Sequence, residues 1–544
     1  MPDAPARAMT PADLHTLRQR QATHALLDVR ERGEFNLGQI PGATPLPRGL
    51  LELRVEALVP RRDVPVVVYC DNGRRSALAA QTLAAMGYSE IAVLAGGLAA
   101  WRGAGYPLVE GWGVPGKDYG EKVAVAKRIP QLAPAEVMTR QQHGERFLVI
   151  DTRTPQEYER GHLPGAYGVP GGQLAVAIHD LVPDASATIL VHCAGRTRSI
   201  LGAQLLRRMG FANAYALENG TMAWQMAGFE LERGAVRPAP TTPSPAARQL
   251  AAAFAAQVAR AEGLPFLDVA KLVALRAADA LHYLVDVRMP DEYRAGHIAG
   301  AVVGPGGQLA LQSETIVAVR DATVVTCCDG RTRAILAASL LRRMGYPDVR
   351  VLDGGTTAWQ AKALPLETGE PRREIFGLAA ARARTQTVAA ADLAAELAGR
   401  RPPLVLDVRG SSDFVLGHIA GSHWLARGKL EPQIASIAPD PAARLVVVSD
   451  SGVRSTLAAA TLQTIGYGDV RVLAGGLGVW TAAGRPLAEG LEGADVSLAE
   501  AKGDVEVVNR RGLLERSRDD MERYLAWEVG LGKKYEHAAE DRGG

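Results

Sequence analysis

The chain has 544 residues, and its 61 lysines and arginines stand against 59 aspartates and glutamates, a formal net charge of +2. That balance excludes a global basic field for gripping nucleic acid, while 47% hydrophobic and 22% charged residues are the make-up of a globular protein of several domains. The opening MPDAPARAMTPADL has no apolar core of an export signal, and no run reaches about 18 apolar residues, so the sequence predicts a cytoplasmic protein without a membrane span.

The first predicted element is a helix that Thr10 caps and Pro11 opens. A four-fold pattern then begins. Asp28-Val29-Arg30 is followed by Cys70 and by Trp101; then come Asp151, Cys193 and Trp224; Asp286, Cys328 and Trp359; and Asp407, Ser449 and Trp480. The step from Asp to Cys or Ser is 42 residues each time, and the step on to Trp is 31. A fixed spacing at this period marks a duplicated domain, since solenoid repeats are far shorter. Within the second copy, Phe147-Leu148-Val149-Ile150 and Thr188-Ile189-Leu190-Val191 are fully apolar runs that read as buried parallel strands. Ser199 to Met209 has helical spacing and stops at Gly210. Ala214 to Leu217 is a further strand, and Gly220 leads into a helix carrying Trp224. Alternating strands and helices predict an α/β domain with helices on both faces of a parallel sheet.

The resulting division is residues 8–110 (Cys70), 131–234 (Cys193), a linker and helix at 235–262, 263–370 (Cys328), 385–490 (Ser449), and a C-terminal helical tail at 491–544. The Pro-rich stretch from Arg237 to Pro245 is the one clear linker, so the expected grouping is copies 1–2 and copies 3–4. Copies one and four share Arg48-Gly49-x2-Glu52 and Arg427-Gly428-x2-Glu431, whereas copies two and three share Pro-Gly-Gly-Gln-Leu, at 170–174 and 305–309. These glycines are expected to shape a loop beside the site. In the tail, Leu513, Leu514, Met521, Leu525 and Trp527 suggest an amphipathic helix that docks on a domain.

Four cysteines are present, and Cys70, Cys193 and Cys328 occupy one equivalent position in three copies. That distribution builds no disulfide framework, and no C-x2-C pair offers a metal site, so neither a metal nor a cofactor is expected. The cysteine loops run Cys70-Asp-Asn-Gly73-Arg74-Arg75, Cys193-Ala-Gly195-Arg196-Thr-Arg198 and Cys328-Asp-Gly330-Arg331-Thr-Arg333. Each lies where a strand end opens onto a helix. Amides of a glycine-containing turn and a helix N-terminus make an anion cradle, and that field lowers a thiol's pKa. Arg75, Arg198 and Arg333, together with Arg74, Arg196 and Arg331, are candidates for holding an anionic donor. Asp28, Arg30 and their equivalents read as buried structural pairs with Glu34, Glu157 and Glu292, the tryptophans as core, and Cys327 as a buried neighbour of Cys328.

With Glu292-Tyr293, Gly296-His297-Ile298-x-Gly300-Ala301, the cysteine loops and Gly354-Gly355-x3-Trp359, all four copies resemble the rhodanese (sulfurtransferase) family. The resemblance implies four tandem rhodanese-like domains, each a parallel five-stranded sheet with helices on both faces. It implies transfer of sulfane sulfur through a cysteine persulfide, from a small anionic donor such as thiosulfate to a thiol or cyanide acceptor, or to a sulfur-accepting protein. Phosphatases of similar fold carry Cys-x5-Arg; the Cys-x4-Arg count here suits a single sulfur. The cationic loops favour thiosulfate over 3-mercaptopyruvate. Ser449 lacks the thiol, so the fourth copy is expected to be inactive. The alternatives are a persulfide relay fed by a protein or glutathione persulfide, and a non-catalytic scaffold or sulfide sensor.

Overall fold

A computed structural model describes residues 6–182, 184–240, 242–371, 373–504 and 512–540. Thr241 of the expected linker and residues 505–511 of the tail fall outside them. The first domain contains β1 (Arg7–Met9), β2 (Ala25–Asp28), β3 (Thr44–Pro45), β4 (Val66–Tyr69) and β5 (Ile91–Leu94), arranged in the order β1-β5-β4-β2-β3 with the pairs all parallel. Three further five-stranded sheets, at 131–217, 266–352 and 386–473, repeat that order. β4 and its counterpart in the fourth sheet are buried along their whole length, and those in the second and third sheets along all but a half-buried first threonine, because helices cover both faces. Thr10 accepts from the Asp13 amide with Pro11 in the first turn, as the sequence predicts.

The chain forms two compact units, and they do not follow the linker. One contains residues 1–112 and 373–515, and so the first and fourth domains; the other contains 113–372 and 516–544, with the second and third. This corrects the grouping of copies 1–2 and 3–4. The loops shared within each subtype explain it. In the first unit, Arg48 bonds Glu431 while Arg427 bonds Glu52, Nη2–Oε1 2.6 Å, a reciprocal exchange of ion pairs. Gly49 and Gly428 let the two backbones meet there: a Cβ on Gly49 would lie 3.1 Å from the Gly428 nitrogen. In the second unit, a Cβ on Gly307 would lie 2.7 Å from the amide nitrogens of Gly171 and Gly172. The shared glycines are therefore contact surfaces between domains.

The linker is no free spacer either. Gly168 and Arg237–Ala239 exchange backbone hydrogen bonds at the edge of the second sheet. The helix that follows, Pro245–Glu262, buries Ala247, Ala251, Ala255 and Val258, and its Glu262 pairs with Arg208 of the second domain and Arg343 of the third. The sequence reading missed a helix at Val114–Ala126, whose Gly116 lies against Ala310 and Gly120 against Thr197. The tail is helical at Leu498–Asp504, Arg518–Gly530 and Lys533–Glu540. Leu514 packs with Val415 and Ala501 in the first unit, whereas Arg518–Gly530 belongs to the second. No helix among the described residues is long and apolar enough to cross a membrane.

Candidate active site

Each loop cysteine (Cys70, Cys193 and Cys328) sits one residue beyond the strand at the centre of its sheet, and a twelve-residue helix follows its loop. Carboxyl ends of parallel strands are where open α/β sheets carry their sites. Cys70, Cys193 and Cys328 are each at most 2% exposed. The Gly73 amide donates to Cys70 Sγ at 3.2 Å, and the Ser76 hydroxyl lies 3.5 Å from the same sulfur. Cys193 Sγ has Ser199 Oγ at 3.5 Å. Cys328 faces the amides of Gly330 and Ala334, and Ala334 stands where the other copies have a serine. Ser449 fills the same cradle, accepting from the Ser455 amide at 3.2 Å.

The glycine differs between subtypes. Gly73 and Gly452 are the third residue after the nucleophile position and take left-handed φ angles of 96° and 87°. Gly195 and Gly330 come second, and neither lies in the left-handed region. Behind every loop is a feature whose purpose the spacing alone conceals. The glycine four residues before each motif tryptophan takes a positive φ and presses on the carbonyl of the nucleophile residue. A Cβ on Gly355 would lie 2.0 Å from Cys328 O, and one on Gly97 2.2 Å from Cys70 O. The next amide then donates to that carbonyl, as Thr356 does to Cys328 at 2.8 Å. The tryptophans are buried and donate to a carbonyl six residues on.

The arginines divide into two kinds. Arg75, Arg198 and Arg333 are buried and held in two-pronged pairs with Glu34, Glu157 and Glu292, at 2.6 to 2.8 Å. Arg30 binds Asp28 and the Gly38 carbonyl. The sequence reading thus has the Asp–Arg pair right and the glutamates' partner wrong: they lock the loop arginine. Burial works to raise the Glu34 carboxyl, but the Arg75 guanidinium and Lys429 outweigh it and hold it near about 2. Arg196 is bound by Glu121 of the helix that the sequence reading missed, at 2.6 and 2.8 Å, and Arg331 by Asp353. Arg74 is exposed. In the fourth domain the lock is loosened too. Asp413 replaces the glutamate and, one carbon shorter, leaves Arg454 3.9 Å away.

The expected lowering of the thiol is reversed at Cys328. Burial and the charge of Asp329 push it up to about 11, against the opposing pull of the Ala334 amide, Arg333 and the Gly330 amide. Cys327 is fully buried in the core with Leu352 and Trp359, and burial drives its thiol up further still. Among the described residues no three His, Cys, Asp or Glu side chains gather at metal-binding spacing.

The family model of the rhodanese-like domain matches residues 10–104, 133–227, 268–362 and 389–483. The chain belongs to the rhodanese family. A crystal structure of a thiosulfate sulfurtransferase from Pseudomonas aeruginosa is 34% identical, covers 98% of both chains and superposes with a TM-score of 0.84. A sulfurtransferase of Allochromatium vinosum is 38% identical over 100 residues, 18% of this chain and 92% of its own. The 3-mercaptopyruvate sulfurtransferase of Escherichia coli K12 is 26% identical over 249 residues, 40% of this chain and 87% of its own. Four rhodanese domains in one chain, three with a thiol in the loop, are thus the frame in which the site is read.

Proposed function

We propose that the protein transfers sulfane sulfur from a donor such as thiosulfate to a thiol or cyanide acceptor, with Cys70, Cys193 and Cys328 as persulfide-forming nucleophiles. Where thiosulfate is the donor, the cysteine thiolate attacks its outer sulfur in the first half-reaction. A bond forms between Sγ and that sulfur, the donor's S–S bond breaks, and sulfite leaves with the electron pair. In the second, the acceptor attacks the outer sulfur of the persulfide, and Sγ departs as thiolate. The observation that carries this reading is the sulfur of Cys70 under the Gly73 amide, at a strand end opening onto a helix. Amides in that position receive the negative charge of a persulfide as they receive that of a thiolate.

The arginines act through the loop: with Arg75, Arg198 and Arg333 locked on glutamates, they hold its shape. Gly73, Gly195 and Gly330 belong to the turn that carries the amides, and the exposure of Arg74 supports a role for it in meeting the donor. Ser449 makes the fourth domain inactive. Four unpaired cysteines fit a reducing cytoplasm. The test is mass spectrometry of the full chain after thiosulfate treatment, with each Cys→Ser variant in parallel. The expected result is a one-sulfur adduct on at least one of the three loop peptides and loss of thiosulfate:cyanide turnover in the matching variant. Unchanged turnover in all three variants would overturn the reading.

A further inference from the structure

The three cysteine loops differ in what lies above them. Asn72 and Arg74 of the first loop are exposed, as are Asp329 and Arg331 of the third. In the second loop Gly195, Arg196 and Thr197 are all buried, and part of the cover is the C-terminal helix Arg518–Gly530. Ser517 caps that helix by accepting from the Asp520 amide, which fixes where its first turn begins. Three turns on, Glu528 is 1% exposed and its Oε1 accepts from Thr197 Oγ1 at 2.9 Å. Its Oε2 is buried without a hydrogen-bond partner and lies 2.9 Å from where a Cβ on Gly195 would be. Tyr524 Cε1 stands 3.3 Å from the same point and Met222 Cε 3.1 Å. The Tyr524 ring is held between the cations of Arg516, at 4.1 Å, and Lys117, at 4.9 Å. Burial and the charge of Glu528 raise the Tyr524 phenol.

The consequence is electrostatic as well as steric. Arg196 is neutralised by Glu121 and Arg198 by Glu157. A loop built to hold an anion therefore meets a carboxylate of its own chain, and in a low-dielectric site that carboxylate repels an incoming dianion. We propose that Glu528 and Tyr524 are specificity-determining residues of the Cys193 site, closing it to anionic donors and reserving it for small organic persulfides that react in their protonated R–S–SH form. The proposal rests on the sulfur-transfer reading above. In the transfer, the Cys193 thiolate attacks the terminal sulfur of R–S–SH. A bond forms from Sγ to that sulfur, the donor's S–S bond breaks, and R–S⁻ leaves with the electron pair, so no outside oxidant is needed.

The test compares alkylation of the full-length protein by neutral iodoacetamide and anionic iodoacetate, resolved for each cysteine peptide by mass spectrometry. The ratio of the two rates at Cys70 serves as reference, and Cys328 reports that the second unit is folded. The expected result is an iodoacetamide preference at Cys193 at least fivefold above that at Cys70, collapsing in Glu528→Gln with Cys328 unchanged. Tyr524→Ala is expected to raise both rates at Cys193 together. A one-sulfur adduct from thiosulfate is expected on the Cys193 peptide in Glu528→Gln and not in the parent. Equal ratios at Cys193 and Cys70 in the parent, or no change in Glu528→Gln, would overturn the proposal. Absence of any adduct on all three peptides, with the alkylation pattern intact, would overturn the sulfur-transfer reading instead.

Discussion

Arg427 of the fourth domain closes a two-pronged pair on Glu52 of the first, with Nη1–Oε2 at 2.7 Å and Nη2–Oε1 at 2.6 Å. Arg48 and Glu431 make the mirror pair, so one loop sequence, used twice, builds a pseudo-symmetric contact. Both partners of the Arg427–Glu52 pair are about nine-tenths buried. Removing one charge from such a pair leaves the other desolvated, at a cost of about 3 kcal/mol. Glu52→Gln is therefore expected to lower the stability of the first unit by about that amount in equilibrium urea unfolding. The reversal Arg427→Glu with Glu52→Arg is expected to regain most of the loss. A loss in Glu52→Gln below about 0.5 kcal/mol would mean that the pair is open to solvent screening.

Gly355 and Gly345 offer a matched comparison. Both have positive φ, 54° and 92°, so alanine at either carries a conformational penalty of about 1 kcal/mol. A Cβ at Gly345 meets nothing within 4 Å, while one at Gly355 would drive into the Cys328 carbonyl. Gly355→Ala is expected to cost at least twice as much stability as Gly345→Ala in thermal unfolding. It is also expected to slow alkylation of Cys328, because the loop backbone must move. Equal costs would show that the contact relaxes freely.

The repeat, the strand ends and the cysteine loops were legible because each depends on residues close in sequence or on a spacing kept four times. The grouping of domains was not. The linker from Arg237 to Pro245 looks like a boundary, yet its backbone is pinned to Gly168, and the decisive contact joins Glu52 to Arg427, 375 residues apart. One signal was available: the loop motifs already sort the copies one-with-four and two-with-three. The arginine–glutamate lock also left a trace, since Glu and Arg are 41 residues apart in all three cysteine copies. Reading it required knowing that the glutamate's helix faces the cysteine loop. Cover of the Cys193 loop by Glu528, 331 residues from Thr197, left no pattern to read.

Ser449 keeps the hydrogen bonds of the cradle, but a hydroxyl takes up no sulfur, and Arg454 has lost its two-pronged partner. Ser449→Ala is expected to leave thiosulfate:cyanide turnover within about twofold of the parent. The lost hydrogen bond to Ser455 is expected to cost about 1 kcal/mol of stability. A tenfold drop in turnover with an unchanged unfolding curve would place the fourth domain in the reaction.

Cys328 carries the clearest pH prediction. Burial and Asp329 place its thiol at about 11, above the ordinary thiol, so at neutral pH the neutral form dominates. Thiolate is the species that attacks, and its fraction rises tenfold per pH unit below the midpoint. The iodoacetamide rate at the Cys328 peptide is therefore expected to climb log-linearly from pH 7 and to level off only near about 11. The linkage has a definite sign. The unfolded chain releases this proton first, so the contribution to stability is full below the unfolded pKa and is lost as pH rises from there through the folded value. Asp329→Asn removes a charge that opposes the thiolate and frees Arg333 from its 2.8 Å pair, so both changes move the midpoint down. An alkylation profile for Cys328 that levels off below pH 8 would show that the amides and Arg333 outweigh burial after all.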